Sequence, residues 1–190
     1  MFSSSSEKYA GTLRRYGIKI PTREDVPLTI EDVKNPRWSY GGSKIIGELL
    51  FTNYAKKNNF RMSIVRYHNI YGERMGFEHV IPQFCLRILD KEIPFKIFGG
   101  TETRAFCYFS DAIRATQMVM EEDGADGEII NIGNSDEEIT MKDLAIKLFK
   151  ISKVNPKLYI KKAPKGSVTR RCPNISKLNR LTGFTPKVNL

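Results

Sequence analysis

The chain has 190 residues, of which 41% are hydrophobic and 27% charged, a composition typical of a folded globular protein and not of a disordered one. It has no apolar stretch of the ~20 residues that cross a bilayer, no secretory signal and no Cys-x-x-Cys pair, so we expect a cytoplasmic protein without a membrane partner, disulfide framework or metal site. The formal net charge of +10 favours anionic ligands.

The first residues predict a short strand that ends in serines. Met1 and Phe2 resemble the end of a buried strand, and the hydroxyls of residues 3–6 would then lie where open α/β sheets place ligands. A flexible serine-rich terminus is the alternative, and the local pattern alone favours it. Residues 12–37 are predicted as a loop with little regular structure, because three prolines interrupt them. A polar connection of this length points to a functional site.

The next segment joins a tyrosine and a lysine to a helix. Apolar residues recur at helical spacing and predict an amphipathic helix to about Lys57, through Ile45, Ile46, Leu49, Leu50 and Tyr54. Lys44 is expected in the first turn, with Tyr40 one turn earlier on the same side. An ammonium one turn away favours the phenolate, so Tyr40 could exchange a proton with a substrate hydroxyl. Alone, the Tyr-x-x-x-Lys spacing is a weak signal and favours a half-buried tyrosine beside a solvated lysine.

Strands and helices alternate over the rest of the chain. Predicted strands cover residues 62–67, 95–98, 104–109, 128–133 and 156–160. Predicted helices run from Val80 to Leu89, from a cap at Ser110 or Asp111 to about Glu121, and from Thr140, with Asp143 three residues on, through Lys150. This alternation predicts an α/β fold with a parallel sheet and crossover helices.

The basic residues are concentrated at the end of the chain. After Asp143 the sequence has no acidic residue but twelve lysines and arginines. A solvated basic face and a phosphate-binding face are both compatible with this pattern. Nucleic acid is not expected as a partner, because no helix-turn-helix, zinc finger or exposed basic-aromatic motif accompanies the charge.

Five segments resemble those of one enzyme family, in that family's order and spacing. They are Phe2-Ser3-Ser4-Ser5-Ser6-Glu7-Lys8-Tyr9, Tyr40-Gly41-Gly42-Ser43-Lys44, Arg66-Tyr67-His68-Asn69-Ile70-Tyr71-Gly72, Phe98-Gly99-Gly100-Thr101-Glu102-Thr103-Arg104 and Arg171-Cys172-Pro173-Asn174-Ile175-Ser176-Lys177. Together they resemble the distal part of the NAD-dependent epimerase/dehydratase family, the extended short-chain dehydrogenases/reductases that act on nucleotide sugars. The resemblance implies a partial Rossmann-like parallel sheet with a smaller α/β substrate-binding domain. Residues 1–75 would belong to the Rossmann-like domain, and residues 76–190 mainly to the nucleotide-sugar-binding domain, with some segments returning to the sheet.

The resemblance implies a role for nine residues. Tyr40 is the expected acid/base, Lys44 the residue that binds the nicotinamide ribose of NAD, and Ser5 the partner of the reacting sugar hydroxyl. Tyr67 would lie against the nicotinamide end of the cofactor. The nucleotide-diphosphate sugar would be contacted by the remaining residues, namely Asn69 and Arg104 at the diphosphate, Phe98 at a uracil, and Glu7 with Arg171 at the sugar. The full-length form is expected to be a homodimer.

The same resemblance implies oxidation of the sugar at C4 and leaves the following step open. Dehydration is disfavoured, because the dehydratases carry an Asp-Glu pair where this chain has Ser6-Glu7. Epimerisation at C4 is the first expectation, and decarboxylation of a UDP-uronate, with Glu7 and Arg171 flanking the carboxylate, follows closely. A non-catalytic nucleotide-sugar-binding fragment is the alternative of another class.

The chain also departs from the family pattern. The Gly-x-x-Gly-x-x-Gly segment that seats the dinucleotide pyrophosphate is not in these residues. We therefore expect a distal fragment, or a naturally split gene product, that lacks the N-terminal dinucleotide-binding half and is inactive alone. Lys8 stands where the family has an apolar residue, and Ala10 where glycine is usual.

Overall fold

The computed structural model describes residues 1–164 and 166–190. Its helices are α1 (Ala10–Tyr16), α2 (Trp38–Asn58), α3 (Val80–Leu89), α4 (Phe109–Glu121), α5 (Met141–Ile151) and α6 (Ser176–Thr182), with short 3-10 helices at Ser6–Tyr9 and Asp123–Ala125. Its strands are β1 (Phe2–Ser5), β2 (Ile64–Tyr67), β3 (Ile70–Tyr71), β4 (Phe95–Phe98), β5 (Thr103–Ala105), β6 (Cys107–Tyr108), β7 (Ile129–Ile132), β8 (Glu138–Thr140), β9 (Leu158–Lys161) and β10 (Arg170–Arg171). None of the helices in this described part is long and apolar enough to span a bilayer.

A parallel sheet of order β1-β2-β7 lies between helices. Alternate residues of β2 face opposite sides, because side chains alternate along a strand. Ile64 packs with Ala55 of α2, whereas Val65 packs with residues of α4 and α6 such as Val119 and Leu178. The predicted α/β fold with a parallel sheet is confirmed. The first residues form the strand β1 and not the flexible serine-rich terminus that was the alternative.

The remaining strands form three small sheets around a second core. Their orders are β10-β5-β8, β3-β6 and β4-β9, and only the β5-β8 pair is antiparallel among the described pairs. The core is rich in aromatic rings, and Phe95 stacks edge-on against both Phe84 and Phe149. This core joins α3 and α5 to β4. The division of the chain at residue 75 stays a prediction.

Helix α2 begins earlier than predicted and buries a different face. It starts at Trp38, so Tyr40 lies in its first turn and Lys44 in its second. The apolar residues expected to face the core are exposed by 56–64% at Ile46, Leu49, Leu50 and Tyr54. The buried residues are instead Trp38, Gly41, Gly42, Glu48 and Ala55. Small residues let α2 pack closely on β1, since a Cβ at Gly47 would lie 2.5 Å from the ring of Phe2.

The segment predicted as a loop contains helix α1. Local sequence there has little helical signal, and tertiary contacts stabilise the helix instead. Leu13 packs against the cluster of Ala10, Trp38 and Val168. Gly11 permits a close approach of the following loop, since a Cβ at that position would lie 2.2 Å from the carbonyl oxygen of Thr29. The loop prediction was wrong for residues 12–16.

Two other element predictions need correction. The strand predicted over residues 104–109 is two strands, β5 and β6, which separate at Phe106, and the ring of Phe106 is buried in the second core. Helix α4 begins at Phe109 without a side-chain cap. Asp111, which was one predicted cap, instead accepts hydrogen bonds from the backbone N–H groups of Lys187 and Val188, at 2.8 and 2.9 Å.

Candidate active site

Eight of the nine residues assigned to a site line one cavity of about 950 Å³. Ser5 ends β1 and Tyr67 ends β2, and the two are opposite each other in the parallel sheet. Arg104 of β5 and Arg171 of β10 are opposite each other in the second parallel pair. Ligands bind at the carboxyl ends of parallel strands in open α/β sheets. The wall formed by the predicted residues comprises Ser5, Glu7, Tyr40, Tyr67, Asn69, Phe98, Arg104 and Arg171.

Tyr40 and Lys44 lie next to each other on α2. Tyr40 is 53% exposed and lines the cavity. The ammonium of Lys44 lies 5.8 Å from the centre of the Tyr40 ring and donates a hydrogen bond to the carbonyl oxygen of Ser3 at 3.0 Å. The carbonyl holds Lys44 against β1, so a phenol and a cation are presented together beside the strand ends.

Ser5 joins β1 to the following 3-10 helix. Its Oγ accepts a hydrogen bond from the backbone N–H of Glu7 at 3.2 Å and caps that helix. The hydroxyl hydrogen stays available as a donor toward the cavity, because the cap uses only a lone pair of the oxygen. Ser5 can therefore donate to a ligand without breaking the cap.

Glu7 is held by two arginines. The guanidinium of Arg171 donates two hydrogen bonds to the Glu7 carboxylate, at 2.5 and 3.1 Å. Arg37, which precedes α2, donates a third at 3.4 Å. Two-point pairing of this kind fixes both groups and is stronger than a neutral hydrogen bond. The cluster is nevertheless open to ligands, since the Glu7 side chain keeps 27% of its surface exposed.

Arg104 presents a cation without a carboxylate partner within the described part of the chain. Its guanidinium donates a hydrogen bond to the carbonyl oxygen of Thr103 at 2.7 Å. Burial, followed by the nearby positive charge of Arg171, lowers the pKa of Arg104 to about 10. An anion in the cavity would relieve both effects, because it supplies charge compensation and hydrogen-bond acceptors.

Three predicted residues make structural contacts as well as lining the cavity. The side-chain amide of Asn69 donates to the carbonyl oxygen of Ala105 at 3.0 Å, and its backbone is left-handed with φ of 41°. The hydroxyl of Tyr67 hydrogen-bonds to the Thr116 hydroxyl at 2.8 Å, leaving the ring as the part that borders the cavity. Phe98 is 55% exposed, with the ammonium of Lys161 5.5 Å from its ring centre.

Arg37 is the missed site residue that contacts a predicted one, since it donates to the Glu7 carboxylate. It precedes Tyr40 by three residues, a spacing that places two side chains on one side of a helix. The signal was present, but the helix was predicted to begin later than it does, so Arg37 was assigned to a loop. The other lining residues missed from the sequence are Ser6, Ile70, Met75, His79, Val80, Glu102, Phe106, Met141, Ala163 and Ser167.

A buried ionic cluster lies on the other side of the turn that carries Glu7. Lys8 is 1% exposed, and its ammonium is paired with the carboxylate of Glu48 on α2. Arg66 of β2 binds the same carboxylate through two hydrogen bonds of 2.9 and 2.7 Å. Desolvation lowers the pKa of Lys8 to about 8, against the opposing attraction of Glu48. The cluster ties the Glu7 turn to the helix that carries Tyr40.

Comparison of the sequence with known proteins supports one family. The sequence model of the NAD dependent epimerase/dehydratase family matches residues 1–133. UDP-N-acetyl-alpha-D-glucosaminuronate decarboxylase of Bacillus cytotoxicus is 33% identical, over 100% of this chain and 59% of its own length. UDP-glucuronic acid decarboxylase 5 of Arabidopsis thaliana is 34% identical, over 81% of this chain and 45% of its own length. The chain spans about half the length of the curated relatives that it matches.

Solved structures of related enzymes have the same fold. A mutant UDP-glucuronic acid 4-epimerase from Bacillus cereus, in complex with UDP-4-deoxy-4-fluoro-glucuronic acid and NAD, superposes with a TM-score of 0.83 at 29% identity, covering 98% of this chain and 56% of that one. UDP-glucose 4-epimerase from Thermotoga maritima, solved with UDP-glucose, gives the same TM-score and identity and covers 99% and 58% of the two chains.

Proposed function

The chain belongs to the NAD dependent epimerase/dehydratase family, and on that premise we propose that it carries the residues for oxidising a UDP-uronate at C4 and then removing its carboxylate. The observation that carries the proposal is the Glu7 carboxylate held between Arg171 and Arg37 at the cavity. On this observation we rank decarboxylation before epimerisation, which was the first expectation from the sequence. The names of the two curated relatives, both decarboxylases of UDP-uronates, support the same order.

Tyr40, Lys44 and Ser5 are proposed to perform the oxidation step. Ser5 donates to the sugar hydroxyl, and Tyr40 takes its proton, with the charge of Lys44 stabilising the phenolate. The phenol and ammonium beside β1 fit the nicotinamide ribose end of NAD, and Tyr67 is proposed to lie against the nicotinamide. NAD, when bound, would supply the hydride acceptor for C4.

A ketone at C4 makes the carboxylate easy to lose. The carboxylate is then β to the ketone, so when the bond from C5 to the carboxyl carbon breaks, its electron pair is delocalised onto the C4 oxygen and CO₂ leaves. C5 of the resulting enolate takes up a proton, and return of the hydride to C4 would restore the hydroxyl of a UDP-pentose. Negative charge moves away from the carboxylate during this step. A cation that binds the carboxylate tightly would stabilise the starting state, which opposes the reaction. Glu7 weakens the binding of the substrate carboxylate to Arg171, because Glu7 is itself paired with Arg171. The pair can therefore orient the substrate carboxylate without binding it tightly.

The rest of the cavity is proposed to hold the nucleotide. Arg104 and Asn69 would contact the diphosphate, and Phe98 the uracil. The desolvated guanidinium of Arg104 supports this assignment, because it meets no carboxylate among the residues described. In this arrangement residues 1–75 would mainly act on the sugar, with Asn69 contacting the diphosphate. Residues 76–190 would mainly bind the nucleotide, with Arg171 contacting the sugar.

Calorimetry with UDP-glucuronic acid and UDP-glucose tests the proposal. We expect the uronate to bind about 10-fold more tightly, because one charge-assisted pair is added. Arg171→Ala should abolish that preference. Glu7→Gln should tighten binding of the uronate and leave UDP-glucose unchanged, since it removes the carboxylate that competes for Arg171. Equal affinity for both ligands in the wild-type chain would contradict the proposal.

Epimerisation at C4 is the second candidate. It is favoured by the similarity to the UDP-glucuronic acid 4-epimerase structure, whose substrate analogue also carries a carboxylate. Mass spectrometry of the product formed from UDP-glucuronic acid with NAD distinguishes the two reactions. Decarboxylation gives a UDP-pentose, whereas epimerisation leaves the mass unchanged. Binding without any turnover, in a protein that also binds NAD, would favour the non-catalytic alternative.

A homodimer is proposed through α2. The exposed apolar residues of this helix, Ile46, Leu49, Leu50 and Tyr54, form a surface that a second copy could cover. Sedimentation velocity of the wild type and of Leu50→Glu tests the assignment. We expect a concentration-dependent dimer that the substitution dissociates, and a wild-type monomer at all concentrations would contradict it.

A further inference from the structure

A small cavity is lined in part by Arg171, the residue that pairs with Glu7. Its volume is about 10 Å³, which is roughly the room that one water molecule needs. Thr22, His68 and Arg171 are among the residues that line it. Thr22 and His68 are 1% and 2% exposed, so the cavity is shielded from bulk solvent on their side.

Three of the polar atoms in these residues are buried without a protein partner. They are Oγ1 of Thr22, Nδ1 of His68 and Nε of Arg171, and none of them has a hydrogen-bond partner within residues 1–164 and 166–190. Buried polar atoms are nearly always hydrogen-bonded, to protein or to ordered water. That all three belong to residues lining one cavity of water size indicates a common partner.

The surrounding hydrogen bonds fix the tautomer of His68. The side-chain amide nitrogen of Asn131 donates to the carbonyl oxygens of Thr22 and Asn174, at 3.0 and 3.2 Å, so its Oδ1 is the acceptor. His68 Nε2 lies 3.0 Å from that oxygen and must therefore carry the proton. Burial lowers the pKa of His68 to about 3, which keeps the ring neutral. Nδ1 is then a buried acceptor without a protein partner in the described residues.

We propose that one buried water bridges Arg171 Nε, His68 Nδ1 and Thr22 Oγ1, and that His68 thereby positions the Arg171 guanidinium toward Glu7. The water accepts a hydrogen bond from the Nε–H of Arg171. It donates one hydrogen bond to His68 Nδ1 and the other to Thr22 Oγ1. Its donors and acceptors match the three orphan atoms. Arg171 is then held at both ends, by Glu7 at its terminal nitrogens and by the water at Nε.

This water completes a continuous polar chain through the protein. Arg66, which binds Glu48, donates to the hydroxyl of Tyr9 at 2.6 Å, and Tyr9 donates to Asn131 at 3.0 Å. Asn131 accepts from His68, and the water links His68 to Arg171. This chain of hydrogen bonds runs from the buried ionic cluster to the cavity. Its effect on the reaction rests on the proposed function, whereas the water site itself does not.

¹⁵N NMR of the histidine side chains and crystallography of the protein test the water site directly. His68 and His79 are the two histidines of the sequence, so His79→Asn assigns the signals. We expect His68 to stay neutral and protonated at Nε2 between about pH 6 and pH 8. A crystal structure should show one ordered water within hydrogen-bond distance of the three atoms. An Nδ1-protonated or charged ring, or a cavity without ordered water, would overturn the proposal.

Paired variants test the positioning role. His68→Phe should weaken the binding of UDP-glucuronic acid about 5-fold, the factor that corresponds to one net hydrogen bond. The affinity for UDP should be unchanged. His68→Gln, whose side-chain oxygen can accept from the same water, should restore most of the affinity. Equal weakening of both ligands, or no restoration by glutamine, would overturn the role. If the wild-type chain binds neither ligand, the proposed function fails, and the NMR and crystallographic results still decide the water site.

Discussion

Glu7 and Lys8 are consecutive residues whose charges face two different regions of the molecule. Glu7 lies at the cavity, where Arg171 and Arg37 approach it and its side chain keeps 27% of its surface exposed. Lys8 faces the interior, is 1% exposed, and meets a carboxylate that Arg66 also binds. A charged pair open to a cavity can exchange partners with a ligand. A pair buried in the interior cannot, so the first is open to a ligand while the second stabilises the fold.

The two regions also differ in what limits their stability. Desolvation is the largest influence on Lys8, Glu48 and Arg66, and each depends on its partners to offset it. Removing one partner from such a cluster leaves an uncompensated buried charge. At the cavity, water or a ligand can replace a lost partner. We therefore expect substitutions in the interior cluster to change stability, and substitutions at the cavity to change binding.

The largest expected effect is that of Glu48→Gln. The substitution leaves the buried ammonium of Lys8 and the guanidinium of Arg66 without a countercharge, and it should lower the free energy of unfolding by about 3–5 kcal/mol. Urea denaturation followed by circular dichroism measures the change. If Glu48→Gln were no more destabilising than Glu7→Gln, the distinction between the two regions would fail.

Lys8→Met tests whether the stability of the interior cluster depends on pH. Because the pKa of Lys8 falls from 10.5 to about 8 in the folded state, the unfolded chain binds this proton more tightly. The contribution of Lys8 to the free energy of unfolding should therefore rise between about pH 8 and pH 10.5, by up to ~3 kcal/mol at ~1.4 kcal/mol per pKa unit. The difference in stability between wild type and Lys8→Met, measured by urea denaturation across that range, should follow this rise. A difference independent of pH would show that Lys8 is not desolvated.

Arg104→Ala should act on binding and leave stability nearly unchanged. The affinity for UDP should fall roughly 10- to 100-fold, since a charge-assisted contact to the diphosphate is lost. Arg170→Ala is the matched control, because the neighbouring Arg170 is already paired with Glu138 at 2.7 and 2.8 Å. Calorimetry with UDP measures both. Equal losses for the two variants would indicate a general effect of positive charge and not a site at Arg104.

The smallest effect is expected at an exposed ion pair. Arg23 and Asp25 pair at 3.1 Å with side chains 68% and 67% exposed. Water replaces either partner at such a position, so Asp25→Asn should leave the midpoint of urea denaturation unchanged within error. A clear loss of stability there would mean that exposure does not distinguish the pairs of this protein.

Strong local patterns predicted the elements well. Helix α3 has the predicted bounds from Val80 to Leu89, and Thr140 caps α5 through the backbone N–H of Asp143, as expected. Helix α1 could not be predicted in the same way, because contacts with Trp38 and Val168 stabilise it. The spacing of Tyr40 and Lys44 brought them together as predicted, while the roles of the site residues stay predictions.

The sequence by itself determined the alternation of strands and helices, the spacing of Tyr40 and Lys44, and the family. These follow from residues close together in the chain, where periodicity and turn chemistry act directly. The family resemblance put Glu7 and Arg171 at one site, but only the tertiary structure decided which charges pair. Glu7 and Arg171 are 164 residues apart, and Tyr9 and Asn131 are 122 apart. The order of strands in the sheets brings such residues together, and no local pattern encodes that order. The ion pairs that distinguish the cavity from the interior cluster therefore depend on the tertiary structure.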